Sequence, residues 1–318
     1  MIMAKPLTEI AEGVFCLEVG IANVYFVGKP GSTWVLVDTG VAGKVRTIVE
    51  AAESRYGQGA QAACILLTHG HQDHTGNAQA LADLWKAPVY AHPLEMPYLR
   101  GAEYPPLDPT APGFLSFMSR FIVVSTQDLG DRVRPLEEGS VPVLEHWSWH
   151  HTPGHTPGHV AYFRNTDATL LAGDAFATVN SDSLFSILAK KREISRPPTP
   201  STTDWAAAAE SVKKLDQLNP LTFACGHGVP MSGADAAREF ERFVDYFPFP
   251  EHGRYARESA RADERGVVSL PPAPPDNKPG VVGAASIAAV TGVMFAVAAQ
   301  RRKKRLLNAG ADPNFRSR

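Results

Sequence analysis

The stretch His69-Gly70-His71-Gln72-Asp73-His74 places four metal-ligating side chains within six residues. It follows a short apolar run, residues 63–67, through Thr68. It precedes a helical pattern that opens near Asp73 and continues through Leu81 and Leu84 to Trp85. A short apolar run reads as a buried strand and an apolar period near 3.6 as a helix, so the motif sits at a strand-to-helix junction. His69 and His71 are two apart, which lets both rings point the same way while the chain is extended. Asp73 and His74 then turn onto the helix start and can face a neighbouring point. The four can therefore serve two metal positions, and neutral imidazole with carboxylate suits zinc, manganese or iron.

Before the motif, apolar runs at residues 14–17, 23–27 and 34–37 are punctuated by Gly20, Pro30 and Gly31 and read as strands. Residues 44–56 read as a helix, and Val89-Tyr90 as a short strand. Residues 93–127 break this rhythm: Pro105, Pro106, Pro109 and Pro112 sit beside Phe114, Phe117, Met118 and Phe121. The stretch reads as an insertion, either a lid over an apolar substrate or a small satellite core. Strands are expected at 141–149, 160–164, 169–171 and 221–224. Helices are expected over 204–218, capped by Thr202 or Thr203, and over 234–246. Strands alternating with helices, twice over, predict a layered α/β fold.

Three further candidates stand at the ends of such strands, where open α/β sheets place their sites. His155 lies in His151-Thr152-Pro153-Gly154-His155-Thr156-Pro157-Gly158-His159, whose Pro-Gly pairs make a loop able to hold one imidazole rigidly. Asp174 follows a strand in Leu171-Ala172-Gly173-Asp174-Ala175; alone it reads as a turn residue, but its two oxygens can bridge two ions. His227 sits in Gly226-His227-Gly228. His151 and His159 read as structural, Cys225 as a small core residue, and Lys190-Lys191-Arg192 as a solvated charge run rather than an anion site.

Together, Val37-Asp38-Thr39-Gly40, Thr68-His69-Gly70-His71-Gln72-Asp73-His74, Pro153-Gly154-His155-Thr156-Pro157-Gly158-His159, Gly173-Asp174 and Gly226-His227-Gly228 resemble, in order, the motifs of the metallo-β-lactamase-fold hydrolase superfamily. The resemblance implies a four-layer αββα sandwich with its catalytic domain in residues 1–257. It implies that His69, His71 and His155 bind one metal, that Asp73, His74 and His227 bind a second, and that Asp174 bridges them. Asp38, which alone reads equally as a turn residue, would orient ligands without binding metal. Two zinc ions are implied, with manganese or iron as alternatives. A water shared by two such cations would lose a proton near neutral pH and attack a carbonyl carbon. Asp73 would also guide that proton to the leaving group, with no covalent protein intermediate.

The fold serves many chemistries, so it does not set the reaction. Flavodiiron oxidoreductases typically carry a glutamate where this chain has His71. RNA-processing relatives carry a large extra domain, and β-lactamases of the fold usually have cysteine in place of Asp174. What remains resembles glyoxalase-II-like thioesterases and lactonases, although the helical glutathione-binding region of glyoxalase II is not recognisable after His227. The expectation is a dinuclear hydrolase acting on a small-molecule ester, thioester or lactone. Two alternatives stand beside it: a mononuclear iron oxygenase of the persulfide dioxygenase type, and a non-catalytic membrane-tethered binding module.

Composition bounds the partners and the location. The 318 residues are 44% hydrophobic, enough for a large core. The formal net charge of -2 conceals a basic tail, which leaves the rest acidic and argues against a broad nucleic-acid surface. Cys16, Cys64 and Cys225 are far apart and odd in number, which predicts no disulfide and a reducing compartment. Glu9 and Glu12 stand where a secretion signal would be apolar, so none is expected. Residues 258–280 read as a linker, Pro-rich from 270 onward. Residues 281–299, a run of 19 without a charge, read as a transmembrane helix, and 300–318 as a basic tail that favours the cytoplasmic side. That orientation of the tail would place the body outside, whereas the cysteine usage and the absent signal place it in the cytosol; the catalytic domain is expected in the cytosol, anchored through 281–299, with a soluble cytoplasmic protein as the alternative.

Overall fold

The computed structural model of the protein describes residues 7–276. The expected transmembrane segment 281–299 and the basic tail 300–318 lie outside the described residues. Among the described residues no helix is long and apolar enough to cross a membrane.

The first half of the chain contributes β1 (Thr8–Ala11), β2 (Val14–Val19), β3 (Ala22–Val27), β4 (Val35–Val37), α1 (Val45–Tyr56), β5 (Ile65–Leu66), α2 (Gln72–Thr75), α3 (Ala78–Trp85), β6 (Val89–Ala91), α4 (Phe114–Ser119) and β7 (Val133–Pro135). The second contributes β8 (Trp147–His151), β9 (Val160–Arg164), β10 (Thr169–Gly173), α5 (Leu184–Ala189), α6 (Trp205–Asp216), β11 (Thr222–Cys225), β12 (Met231–Ser232) and α7 (Ala234–Asp245). Strands β1 to β7 form one sheet in sequence order, antiparallel as far as β4 and parallel beyond it. The second sheet runs β12-β11-β10-β9-β8. Its only parallel pair among the described residues, β10 with β11, is joined through α6, as a parallel connection requires a crossover.

Alternation along the strands builds the layers, because successive side chains leave a strand on opposite faces. On β2 and β3, Val14, Cys16, Tyr25 and Val27 face inward, where they meet Val160, Tyr162, Leu171 and Ala224 from the second sheet. The intervening Phe15, Leu17, Val24 and Phe26 face outward onto Ile48 and Ala52 of α1 and Leu81 and Trp85 of α3. Across the molecule, Phe163, Leu170 and Phe223 face Val212 and Leu215 of α6 and Phe240 and Phe243 of α7. Helix, sheet, sheet and helix are therefore stacked in four layers. Strands buried on both faces explain why they read as unbroken apolar runs.

Local chemistry moves several element boundaries. The helix expected from Asp73 to Trp85 is two helices, α2 and α3. At the break, Gly76 approaches the 40–42 turn so closely that a Cβ would lie 2.3 Å from the Ala42 nitrogen. Asn77 there donates to the Thr39 and Val41 carbonyls, both at 2.7 Å. The strand expected from 141 starts only at Trp147, because Val143 and His146 adopt positive φ (71° and 64°), which no strand accommodates. Helix α6 is capped by Asp204, whose side chain accepts from Ala207 N–H at 3.0 Å, not by a threonine. Thr202 has another use: its hydroxyl donates to the Pro198 carbonyl and faces His155. Within the segment read as a linker, β13 (Arg261–Asp263) and β14 (Gly266–Ser269) pair as a hairpin. Its turn is set by Asp263 accepting from Arg265 N–H and by Gly266 at φ 108°.

Phe240 is 1% exposed and packs against Phe176 and Phe223. Phe240→Ala should lower unfolding free energy by about 3–5 kcal/mol. Asp204→Ala should lower it by only about 1 kcal/mol, because it loses a cap rather than core. Urea denaturation of the two variants checks both values and their order.

Candidate metal centre

Five connections meet at one edge of the sandwich. Asp38 follows β4, the His69 motif follows β5, His155 lies between β8 and β9, Asp174 follows β10 and His227 follows β11. All seven residues expected from sequence to hold metal converge there. His69, His71 and His155 form one group whose ligand atoms lie within 4.8 Å of one another, and Asp73, His74 and His227 form another. His69, His74 and Asp174 form a third that overlaps both. In the first group, His71 Nδ1 lies 3.1 Å from His69 Nε2 and 3.0 Å from His155 Nε2. Two nitrogens bound tetrahedrally to one zinc at about 2.0–2.1 Å would lie ~3.3 Å apart, so these spacings suit a shared ion. In the second, His227 Nε2 lies 3.4 Å from Asp73 Oδ2 and His74 Nε2 3.9 Å from it. Asp174 stands between the groups: Oδ2 is 3.4 Å from His155 and 3.2 Å from His227, and Oδ1 is 3.6 Å from His74.

Hydrogen bonds on the far side of each ring decide which nitrogen faces the centre. Asp38 is buried and accepts from Thr68 N–H, the Thr68 hydroxyl and His74 Nδ1–H, each at 2.8 Å. The Thr68 hydroxyl, committed to Asp38, is left to accept from His69 Nδ1–H at 3.0 Å. The Thr202 hydroxyl, committed to Pro198, likewise accepts from His155 Nδ1–H at 3.0 Å. His227 Nδ1 donates to the Ile21 carbonyl at 2.9 Å. These four histidines therefore turn Nε2 inward, the arrangement by which outer hydrogen bonds prepare imidazoles for metal.

Two buried atoms at the centre, His74 Nε2 and Asp174 Oδ1, have no hydrogen-bond partner. Buried polar atoms without partners are rare, and here they point at one another's neighbourhood as two acceptors do around a cation. The space is reserved by glycine: a Cβ on Gly226 would lie 2.1 Å from Asp174 Oδ1 and 2.5 Å from His74 Cε1. The donor set and its orphaned atoms fit divalent metal.

Charge is divided unevenly. Burial pulls His69 and His155 well below the ordinary imidazole pKa and His71 to about 4. Burial works the same way on His74 and His227, but Asp174 overrides it, helped by Asp38 and Asp73 at His74 and by Asp73 at His227. His74 is lifted well above its ordinary value, and His227 to about 10. Burial would raise Asp73 and Asp174, yet the charges of His74 and His227 hold both below the usual carboxylate range.

Two further residues shape the site. His159 is buried; its Nε2 accepts from Asp174 N–H at 2.8 Å while its Nδ1 donates to the Thr152 hydroxyl. It is structural, and what it positions is the carboxylate shared between the groups. Glu95 is also buried and hydrogen-bonds to Gly70, Thr156 and Gly158, in the two loops that carry His69, His71 and His155. The other candidates lie elsewhere. His151 donates to the Pro157 carbonyl and stacks on His92, and Cys225 packs among the residues beneath α6 and α7. Lys190 pairs with Glu18 and Lys191 with Glu193 at the surface.

With this geometry in hand, the comparisons are direct. Residues 17–227 match the sequence model of the metallo-beta-lactamase superfamily. The chain is 43% identical over 230 residues to the "Probable metallo-hydrolase YflN" of Bacillus subtilis, covering 71% of this chain and 87% of that one. It is 32% identical over 210 residues to a hydroxyacylglutathione hydrolase of Hahella chejuensis, covering 65% of this chain and 62% of that one. Among solved structures, the BLEG-1 B3 metallo-beta-lactamase superposes with a TM-score of 0.51 at 25% identity, covering 74% of this chain and 97% of that one. The chain belongs to the metallo-beta-lactamase superfamily.

Gly226→Ala tests the space between the donors. The added methyl should displace Asp174 or His74 and lower the tightly held divalent metal per chain, while far-UV circular dichroism stays unchanged. Full metal content by atomic emission would show that the donors do not converge as described.

Proposed function

We propose that this member of the metallo-beta-lactamase superfamily is a hydrolase that uses two metal ions, of the zinc type, on a small-molecule ester, thioester or lactone. The observation that carries the reading is the pair of ligand groups with Asp174 between them, where His74 Nε2 and Asp174 Oδ1 are buried and unpartnered. His69, His71 and His155 would hold one ion, Asp73, His74 and His227 the other, and Asp174 would reach both. Bound there, the ions would acidify a water and polarise the carbonyl oxygen of the substrate.

The chain's own residues supply the rest. Asp38 and Thr68 keep His74 and His69 in the tautomers that present Nε2. Asp73 is partly exposed, unlike the enclosed Asp174, so its carboxylate faces the side from which substrate enters and can pass a proton to the leaving group. The hydroxyacylglutathione hydrolase among the relatives cleaves a thioester by its name, which favours a thioester or a similar acyl compound here.

The insertion also supports an acyl substrate. Gln72, between His71 and Asp73, accepts from the Ser125 N–H and hydroxyl at 3.1 and 3.0 Å, and so ties the 121–125 segment to the motif. Phe121, Ile122, Val123 and Val124 are all exposed there, Val123 to 86%. Apolar side chains held beside a polar reacting centre suit a substrate with an apolar acyl group.

Asp73→Ala should reduce hydrolysis of activated esters, thioesters and lactones by at least ~100-fold without unfolding the protein. Unchanged turnover contradicts the role given to it. Proton release separates the two positions. His227 holds its proton up to about pH 10 and His71 loses its own near pH 4 in the metal-free protein. At pH 7.5, filling the His227 position should therefore release protons and tighten as pH rises, whereas filling the His71 position should release almost none. Calorimetric titration in buffers of different ionisation enthalpy counts the protons at each step.

A further inference from the structure

We propose that Glu95 is a positioning residue for the first metal position, clasping the two loops that supply His69, His71 and His155; the proposal rests on the dinuclear reading above. Glu95 ends the short turn Pro93–Glu95 that follows β6, and it is fully buried. Its Oε2 accepts from Gly70 N–H at 2.9 Å and from the Tyr104 hydroxyl. Its Oε1 accepts from the Thr156 hydroxyl at 2.7 Å and from Gly158 N–H at 2.8 Å. Gly70 lies between His69 and His71, and Thr156 directly follows His155. One carboxylate thus spans, oxygen by oxygen, two segments whose histidines are 84 residues apart in sequence.

The four donors are all neutral, so only hydrogen bonds offset the burial of this carboxylate. An apolar side chain would fill the space more simply. What the carboxylate adds is a fixed distance between the loops, since each oxygen is committed to a different one. The approach is close on both sides: a Cβ at Gly70 would lie 2.2 Å from the Tyr104 hydroxyl, and one at Gly158 would lie 2.8 Å from Glu95 Cγ. Tyr104 extends the clasp, because its ring stacks on Tyr98 at 4.0 Å and lies 4.7 Å from the His71 ring. The clasp does not touch the second group. His74 is oriented by Asp38 and His227 by the Ile21 carbonyl. Its effect should therefore fall on one metal position and spare the other.

Glu95→Gln is the discriminating change. Whichever way the amide turns, its NH2 faces either Gly70 N–H or Gly158 N–H, and neither of these can accept, so one loop loses its backbone hydrogen bond. The substitution is placed in the full chain in two backgrounds: His227→Ala, which leaves the first position, and His155→Ala, which leaves the second. Zinc affinity is read by chelator competition, and ligand geometry by the electronic spectrum of the cobalt-loaded protein. In the His227→Ala background, affinity should fall about 10–100-fold and the cobalt spectrum should change. In the His155→Ala background, both should hold. Equal loss in the two backgrounds, or no loss in the first, overturns the clasp. If the unsubstituted chain binds only one ion, it is the dinuclear reading that fails. Should Glu95→Gln not fold, Tyr104→Phe keeps the ring stack and removes one donor. It should give the same one-sided shift at smaller size, and a symmetric effect or none overturns the proposal.

Discussion

The carboxylate of Asp174 is buried against imidazole nitrogens on two sides, 3.4 Å from His155 and 3.2 Å from His227. Around it, His69, His74 and His155 turn in Nε2, because their other nitrogens are committed elsewhere. So many acceptors in one enclosed space repel one another unless positive charge sits among them. In the metal-free protein protons supply part of that charge, at His74 and His227. Divalent ions supply it better, being multiply charged and able to accept several lone pairs at once. The rest of the structure can be understood as what holds this otherwise unfavourable cluster together.

The sandwich does so by division of labour. Its strands are buried on both faces and rigid, and the chemistry is confined to the short connections at one edge. Each connection is anchored to another by a polar residue that does not itself face the centre. Asp38 joins the end of β4 to Thr68 and His74, and Thr39 holds the His74 carbonyl from the same turn. His159 joins the β8–β9 loop to Asp174, and Glu95 joins that loop to the His69 motif. Glycine permits the approach where a Cβ would intrude, as at Gly173, whose Cβ would lie 2.6 Å from His159 Nε2. Rigid strands and cross-braced loops are what a preorganised site requires.

The fold, and which side chains gather at one edge of it, were largely readable from sequence for a shared reason: both are written in local patterns. Unbroken apolar runs announced β2, β3 and β9, and a motif compressed into six residues announced four of the candidate donors. His155 and His227 were readable because each follows or interrupts a recognisable strand within a glycine-rich turn, whereas Asp174 alone reads as a turn residue and was picked out by the resemblance. Where the reading failed, the cause was a contact between distant parts of the chain. Asn77 leaves the helix to bond the 39–41 turn, and Val143 and His146 take up a backbone conformation that their side chains do not advertise. Thr202 is diverted from capping by His155. Glu95 is a single residue whose partner Thr156 lies 61 residues away, and no local pattern marks such a role.

The most direct test of the account is a crystal structure of the zinc-loaded protein with anomalous scattering measured on either side of the zinc edge. Two peaks are predicted, one in reach of His69, His71 and His155 and the other in reach of Asp73, His74 and His227, with Asp174 touching both. A single peak, or peaks that leave His74 Nε2 and Asp174 Oδ1 without a metal, would contradict it.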